Sequence, residues 1–159
     1  MKHIPVIDAA SVEKLLPAKE CTELMRKAFI EENTGASVQY LRTVVPLPNQ
    51  NIMGFMPAYF HEGHFGVKVL SVYPKNYLNG LPSHQGEIIV YDEPTGSVKG
   101  IVDAMAVPGV RTGACSAVAT DVLARRDAHT LALIGAGAQA RSHLAAIRLI
   151  RDIEHVRVY

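Results

Sequence analysis

A glycine-rich stretch near the end of the chain is the first candidate for chemistry. Gly135-Ala136-Gly137-Ala138-Gln139-Ala140 fits the pattern G-x-G-x-x-[G/A]. The first glycine of this pattern permits a tight turn, the second lets the backbone approach a pyrophosphate, and a small third residue lets a helix lie close to a strand. The first N–H groups of such a helix point at the phosphates. The stretch predicts a dinucleotide site; a tight turn without a ligand and an S-adenosylmethionine site are the alternatives.

Three basic residues at apolar positions are the second candidate. Lys68 lies in the middle of a predicted strand, Arg42 lies beside Val44 in another, and Arg111 opens a predicted helix, where a cation opposes the helix dipole. Each residue alone is more typical of a solvated or snorkelling side chain. Together they favour a pocket for a small carboxylate, which arginine can bind with two parallel hydrogen bonds. Spacing alone does not show that the three converge.

The segments around the glycine stretch indicate a βαβ unit, the opening of a Rossmann domain. The apolar run Leu131–Ile134 predicts a strand, and alternation in His155–Tyr159 predicts another. Apolar residues at Leu144, Ile147 and Ile150 have helical spacing between the two strands. The residue that binds the adenosine ribose normally lies about 20 residues beyond the glycine stretch, and the chain ends near that point. We therefore expect an incomplete fragment whose 159 residues alone are inactive.

The preceding residues predict helices at the start and a sheet in the middle. A strand at Ile4–Ile7 is followed by a helical turn through Leu16, capped by Asp8 or Ser11, and by an amphipathic helix at Ala18–Glu32. The predicted strands of a largely antiparallel sheet are Leu41–Leu47, Asn51–Tyr59, Phe65–Val72, Glu87–Tyr91 and Val98–Asp103. A helix rich in small residues is predicted at Val110–Arg125.

Composition restricts the class of protein. Hydrophobic residues make up 48% and charged residues 19% of the chain, which is typical of a globular protein. The net charge of +1 provides no general attraction to nucleic acid or to a membrane surface. Cys21 and Cys115 form no metal or redox motif, which favours reduced thiols in a cytoplasmic protein. The N-terminus has no apolar run long enough for a signal peptide, and no later run is long enough to span a bilayer.

Two longer stretches together resemble the ornithine cyclodeaminase/mu-crystallin family. They are VRTGACSAVAT at Val110–Thr120 and LIGAGAQA at Leu133–Ala140, which occur in the family's order and spacing. The shorter stretches Gly66-Val67-Lys68 and Leu81–His84 are similar to the same family. The resemblance covers most of the chain.

The resemblance implies an α/β protein with two domains. Residues 1–128 are expected to form an α+β domain for substrate binding and dimerisation, with a mostly antiparallel sheet. Residues 129–159 are expected to begin a Rossmann domain, truncated here, that binds NAD or NADP. The implied activity is that of an ornithine cyclodeaminase, an alanine dehydrogenase, or a ketimine or pyrroline-2-carboxylate reductase, acting on a small amino or cyclic imino acid as a homodimer. A non-catalytic NADPH- and ligand-binding protein of the mu-crystallin type is the alternative.

The resemblance also assigns individual residues. The family's carboxylate-binding residues map to Arg42, Lys68 and Arg111; the cofactor is assigned to Thr112 and to Gly135, Ala136, Gly137, Ala138 and Gln139. Lys68 is the catalytic candidate, because a buried lysine can lose its proton and an arginine cannot. His84 is either a wall of the pocket or an ordinary loop histidine, and no residue is assigned to a metal. The chain has Pro108 where the family commonly has Thr, and the family's acidic catalytic residue lies beyond Tyr159.

Overall fold

The computed structural model describes residues 3–60 and 63–159. The chain forms two compact units. The first contains the described residues of Met1–Val12 and Glu31–Ala106, and the second contains Glu13–Ile30 and Val107–Tyr159. The predicted division into a substrate domain and a nucleotide domain at residue 128 stays a prediction.

The first unit is built on one sheet of seven strands. Its strands are β1 (Val6–Ile7), β2 (Ser37–Gln39), β3 (Thr43–Pro46), β4 (Ile52–Phe60), β5 (His64–Val72), β6 (His84–Asp92) and β7 (Val98–Asp103). The order is β1-β7-β6-β5-β4-β2, with β3 also paired to β4. All pairs are antiparallel except β1 with β7, so the predicted largely antiparallel sheet is confirmed.

The predicted strand at Leu41–Leu47 is wrong at its start, because the chain is interrupted between β2 and β3. Gln39 pairs with Ala58 and Thr43 pairs with Phe55, so three residues of the chain lie opposite two residues of β4. The N–H of Tyr40 donates to the carbonyl of Pro57. Because proline has no N–H to donate in return, the ladder is weakened here and accommodates an extra residue. Arg42 therefore lies in a bulge just before β3, outside the regular strand.

The two faces of this sheet carry different side chains. One row of cross-strand partners contains Met56, Lys68, Ile88 and Val102. The opposite face is mainly apolar and half-buried over β4, β5, β6 and β7; it contains Phe55, Pro57, Tyr59, Phe65, Val67, Val69, Ile89, Tyr91 and Ile101. The rings of Phe65 and Tyr91 stack on this face with centroids 5.0 Å apart. Lys68 thus lies on the face away from the aromatic side chains.

The remaining elements are helices and a two-stranded parallel sheet. They are α1 (Ala9–Leu15), α2 (Ala18–Thr34), α3 (Ala106–Leu123), β8 (Thr130–Leu133), α4 (Ala138–Ile147) and β9 (His155–Val158). The backbone N–H of Ser11 donates to the carboxylate of Asp8, so Asp8 is the cap of α1. The strand, glycine turn, helix and strand predicted for the end of the chain are confirmed.

The predicted start of α3 at Val110 is wrong. Oδ1 of Asp103 accepts the N–H of Met105 at 2.8 Å and of Ala106 at 2.6 Å, and the helix begins at Ala106. Pro108 lies in the first turn, where its missing N–H costs nothing. Arg111 is consequently one and a half turns inside the helix and does not open it, so the predicted conflict with the helix dipole is removed. Among the described residues, no helix is both long and apolar enough to cross a membrane.

Candidate cofactor and substrate sites

The glycine turn between β8 and α4 forms an open backbone site. Gly135 has φ of +98°, a conformation that side chains other than hydrogen disfavour. Gly137 is the N-cap of α4, and among the described residues no side chain caps the helix. The N–H of Ala140 donates to the carbonyl of Gly137 at 3.1 Å, and the N–H groups of Ala138 and Gln139 come before it at the start of the helix. A cavity of about 240 Å³ lies in front of them, lined by Leu133, Ile134, Gly135, Gly137, Gln139, Ala140 and His143. This arrangement suits an anionic group such as a phosphate.

Two residues of α4 organise the wall of this cavity. The side-chain Nε2 of Gln139 donates to the backbone carbonyl of Pro108 at 3.4 Å, which ties the first turn of α4 to the first turn of α3. Nδ1 of His143 contacts the carbonyl of Gln139 at 2.6 Å. Because a carbonyl only accepts, the proton lies on Nδ1 of this histidine. Sequence reasoning missed His143, although its spacing of four residues from Gln139 places both on one face of the helix.

Helix α3 lies directly against α4. A Cβ added to Gly113 would lie 2.5 Å from the backbone oxygen of Ser142, so only glycine permits this approach. Thr112 is the neighbour of Gly113 and is half-buried. Its assignment to the cofactor stays a prediction, which the closeness of the two helices supports. Ala136 and Ala138 are exposed in the turn and at the start of α4.

Arg42 and Lys68 lie on neighbouring positions of the first unit. Lys68 is half-buried in the centre of β5, with Met56 and Ile88 as its cross-strand partners. Arg42 is the residue just before β3, whose first pair is Thr43 with Phe55. Arg42 is exposed and lines a cavity of about 460 Å³ together with Met56 and residues of the β2–β3 connection.

Arg111 belongs to the second unit and is exposed on α3. It is close enough to Cys21 for its charge to affect that thiol. Burial raises the pKa of Cys21, and the neighbouring Cys115 raises it further, while the guanidinium of Arg111 lowers it. Cys21 therefore stays protonated at neutral pH. Both cysteines are free, as the sequence predicted.

His84 opens β6 instead of lying in a loop, which corrects one part of its predicted setting. It is exposed, and its Nδ1 lies 2.9 Å from Oγ of Ser83. It lines a separate cavity of about 590 Å³ with Glu87, Asp103 and Met105 among the other lining residues. His84 stays a candidate wall residue or an ordinary hydrogen-bonded histidine.

One group of potential metal ligands occurs among the described residues. His129, Asp152 and Glu154 are all exposed, and one ligand atom of each lies within 4.8 Å of the others. Nδ1 of His129 contacts the backbone carbonyl of Asp152 at 2.8 Å. His129 directly precedes β8, and the glycine turn directly follows β8. The group of His129, Asp152 and Glu154 therefore lies at the end of β8 opposite to the glycine turn.

The sequence and fold match one family of known proteins. The profile of the ornithine cyclodeaminase/mu-crystallin family matches residues 4–159. A Delta(1)-pyrroline-2-carboxylate reductase of Bacillus cereus is 35% identical over 157 residues, which cover 97% of this chain and 48% of the relative. The chain spans about half the length of the curated relatives it matches.

Two solved structures show the same fold. The Delta(1)-pyrroline-2-carboxylate reductase of Thermococcus litoralis, in complex with NADH and L-proline, superimposes with a TM-score of 0.89 at 36% identity, covering 98% of this chain and 49% of that chain. An archaeal alanine dehydrogenase dimer with bound NAD superimposes with a TM-score of 0.93 at 28% identity, covering 98% of this chain and 48% of that chain.

Proposed function

This chain belongs to the ornithine cyclodeaminase/mu-crystallin family, and we propose that it is part of an NAD(P)-dependent reductase of small cyclic imino acids. The observation that carries the proposal is the uncapped start of α4 behind Gly135 and Gly137, with a cavity in front of it. A site of this kind binds the pyrophosphate of a dinucleotide by backbone N–H groups. The similarity to reductases of pyrroline-2-carboxylate supports the class of substrate.

The cofactor is held, in this proposal, by the backbone of Gly135–Gln139 and by Thr112. Among the described residues no side chain caps α4, so none competes with a phosphate for the first N–H groups of the helix. Bound NADH or NADPH supplies a hydride for the carbon of the substrate that bears nitrogen. The residues of this chain anchor the phosphates and thereby fix the position of the nicotinamide end.

The substrate carboxylate is assigned to Arg42 and Lys68. Lys68 pairs with Met56 in the sheet, and Arg42 lines a cavity together with the same Met56. We expect a carboxylate bound between the two cations to leave the apolar part of a small ring against the methionine side chain. The guanidinium of Arg42 can bind a carboxylate by two parallel hydrogen bonds, which fixes its orientation. The assignment of Arg111 to the same carboxylate rests on the family resemblance. Of the three, Lys68 is the group that can hold or transfer a proton at the imine nitrogen.

The full-length protein provides the test. We expect it to oxidise NADH or NADPH when Delta(1)-pyrroline-2-carboxylate is added, measured by the loss of absorbance of the reduced nicotinamide. A protein that binds NADPH but turns over no cyclic imino acid would overturn the enzymatic proposal in favour of the non-catalytic binding protein. That the 159 residues alone are inactive stays a prediction, checked in the same assay.

A homodimer is part of the proposal. The apolar face of the sheet contains large side chains that are only half-buried within the chain, and exposed apolar surface of this extent is typical of an interface. The dimer of the similar alanine dehydrogenase supports a dimer here.

Light scattering on the full-length protein should give the mass of two chains. Val69→Lys, which puts a charge on this face, should lower the mass, whereas Lys99→Ala at an exposed position of β7 should not. A stable wild-type monomer at micromolar concentration would contradict this.

A further inference from the structure

Arg151, between α4 and β9, is buried although it carries a charge. Its side chain is only 6% exposed. Its donors reach Oδ1 of Asp121 and five backbone carbonyls, those of Thr120, Asp121, Ala124, Arg125 and Ile150, at distances between 2.7 and 3.2 Å. A buried guanidinium is tolerated only when its donors are satisfied, and here each of its three nitrogens donates.

Four of these carbonyls belong to the end of α3 and the residues that follow it. The last carbonyls of a helix have no partner within the helix, and its C-terminus favours a positive charge. Arg151 satisfies both needs at the same point. Asp121 completes the group, because it also accepts a hydrogen bond from Arg26 of α2 at 2.7 Å. We call Arg26, Asp121 and Arg151 the polar clamp of α3.

The middle of α3 has little to hold it along its axis, and the hydrogen bond from Gln139 to the carbonyl of Pro108 in its first turn is long, at 3.4 Å. Its buried residues are Gly113, Ala114, Ala117 and Val118, and three of them are glycine or alanine. Small side chains allow the close approach at Gly113, but they form shallow ridges, which give only weak resistance to movement of α3 along its axis. A helix packed in this way needs a directional contact elsewhere to fix its register against its neighbours. The polar clamp provides directional contacts at the end of the helix.

We propose that Arg151 and Asp121 are positioning residues, which fix the axial placement of α3 and thereby where the helix holds Arg111 and Thr112. Asp121 is ten residues beyond Arg111 on one continuous helix, a separation of about 15 Å along the axis. A displacement at the clamped end is transmitted along the helix, because its backbone hydrogen bonds make it stiff. This inference rests on the proposed function for the role of Arg111. The geometry of the clamp itself does not depend on it.

A double-mutant cycle in the full-length protein tests the coupling. Arg151→Lys keeps the charge but loses most of the hydrogen bonds, and we expect it to raise the KM for Delta(1)-pyrroline-2-carboxylate about tenfold while kcat changes less. In the Arg111→Ala background the same substitution should change KM less than about twofold, because the residue being positioned is gone. Equal fold-changes in both backgrounds would show that Arg151 acts only on stability and would overturn the inference. Arg125→Ala is the matched control, since its side chain is 80% exposed beside Asp127, and it should leave KM unchanged.

Amide hydrogen exchange tests the clamp without turnover. In Arg151→Lys, α3 should fluctuate more against α4 and loosen the close approach of Gly113 to Ser142. Amides of Val110–Ala114 should then exchange several-fold faster than in the wild type, although they are more than one turn away from the substituted contact. Faster exchange confined to residues 120–125 would mean local fraying and would overturn the inference. If exchange spreads along α3 as expected but the wild-type protein does not reduce the imino acid, the positioning role stands and the proposed function fails.

Discussion

The glycine turn and the Arg42–Lys68 row are two proposed binding sites made by different means. The turn uses the backbone of one contiguous stretch, Gly135–Gln139, and its geometry follows from one unusual φ and an uncapped helix. The row uses side chains that are 26 positions apart in the chain and come to neighbouring strands only because β3 and β5 both pair with β4. Backbone sites tolerate changes of side chain that do not alter conformation. Side-chain sites lose function with any change of charge, so substitutions should separate the two.

Lys68 should give the largest effect. Lys68→Met keeps the length and the apolar part of the side chain, so β5 should stay folded between Met56 and Ile88. If Lys68 acts on the imine nitrogen, turnover should fall by about 10²–10⁴, the usual range for loss of a general acid or base. Cofactor affinity, measured by quenching or enhancement of NADPH fluorescence, should stay near the wild-type value. Retention of turnover within a few-fold would remove Lys68 from the chemistry.

Arg111→Ala should give the next largest effect. If Arg111 binds the substrate carboxylate, kcat/KM should fall by a factor that corresponds to about 3 kcal/mol of lost transition-state stabilisation. This is the scale for removing one side of a charged hydrogen-bonded pair. Arg111→Lys should recover only part of this, because an ammonium does not reproduce the two-pronged contact. Melting temperature and KM are measured on the same variant. A wild-type KM with a lowered melting temperature would make Arg111 structural.

Gly135→Ala should give an intermediate effect that belongs to the backbone site. A residue with a Cβ is strained at φ of +98°, at a cost of about 1–3 kcal/mol. Gly80→Ala is the matched control, because Gly80 has φ of +68°, belongs to the first unit and is not among the residues that line the cavity at α4. Both variants should lose thermal stability, but only Gly135→Ala should bind NADH more weakly. If the two variants bound NADH with equal affinity, the glycine turn would not be the cofactor site.

The same difference explains which parts could be predicted from the sequence. The βαβ unit was predicted because glycine spacing encodes a local turn and apolar periodicity encodes the elements on each side. The position of Arg42 was not predicted, since the extra residue between β2 and β3 depends on Pro57 of another strand, β4. The start of α3 was missed because Asp103 was assigned only to a strand end, although Asp three residues before Ala106 is a recognisable cap signal.

Contacts between residues that are far apart in the chain could not be predicted from the sequence. In the sequence, Arg151 is a charged residue between a predicted helix and a predicted strand, and nothing local shows that it reaches the end of α3. Met56 is an apolar residue of a predicted strand, and only the register shows that it pairs with Lys68. Pairing between distant segments carries this information, and a single sequence does not contain it in any local pattern.

Asp121→Asn should give the smallest effect, and it depends on pH. Hydrogen bonds from Arg151 and then from Arg26 lower the pKa of the Asp121 carboxyl below its ordinary value. A carboxyl whose pKa is lower in the folded state contributes stability above its unfolded pKa of about 3.9, and this contribution is lost as pH falls through the folded value. The side chain is 37% exposed, so solvent screening keeps the contribution small. The wild-type melting temperature should exceed that of Asp121→Asn by a few degrees at pH 7, and the gap should close as pH falls below about 4. A gap that stays constant down to acid pH would mean that the asparagine perturbs packing, and that the charge of Asp121 contributes nothing to holding α3.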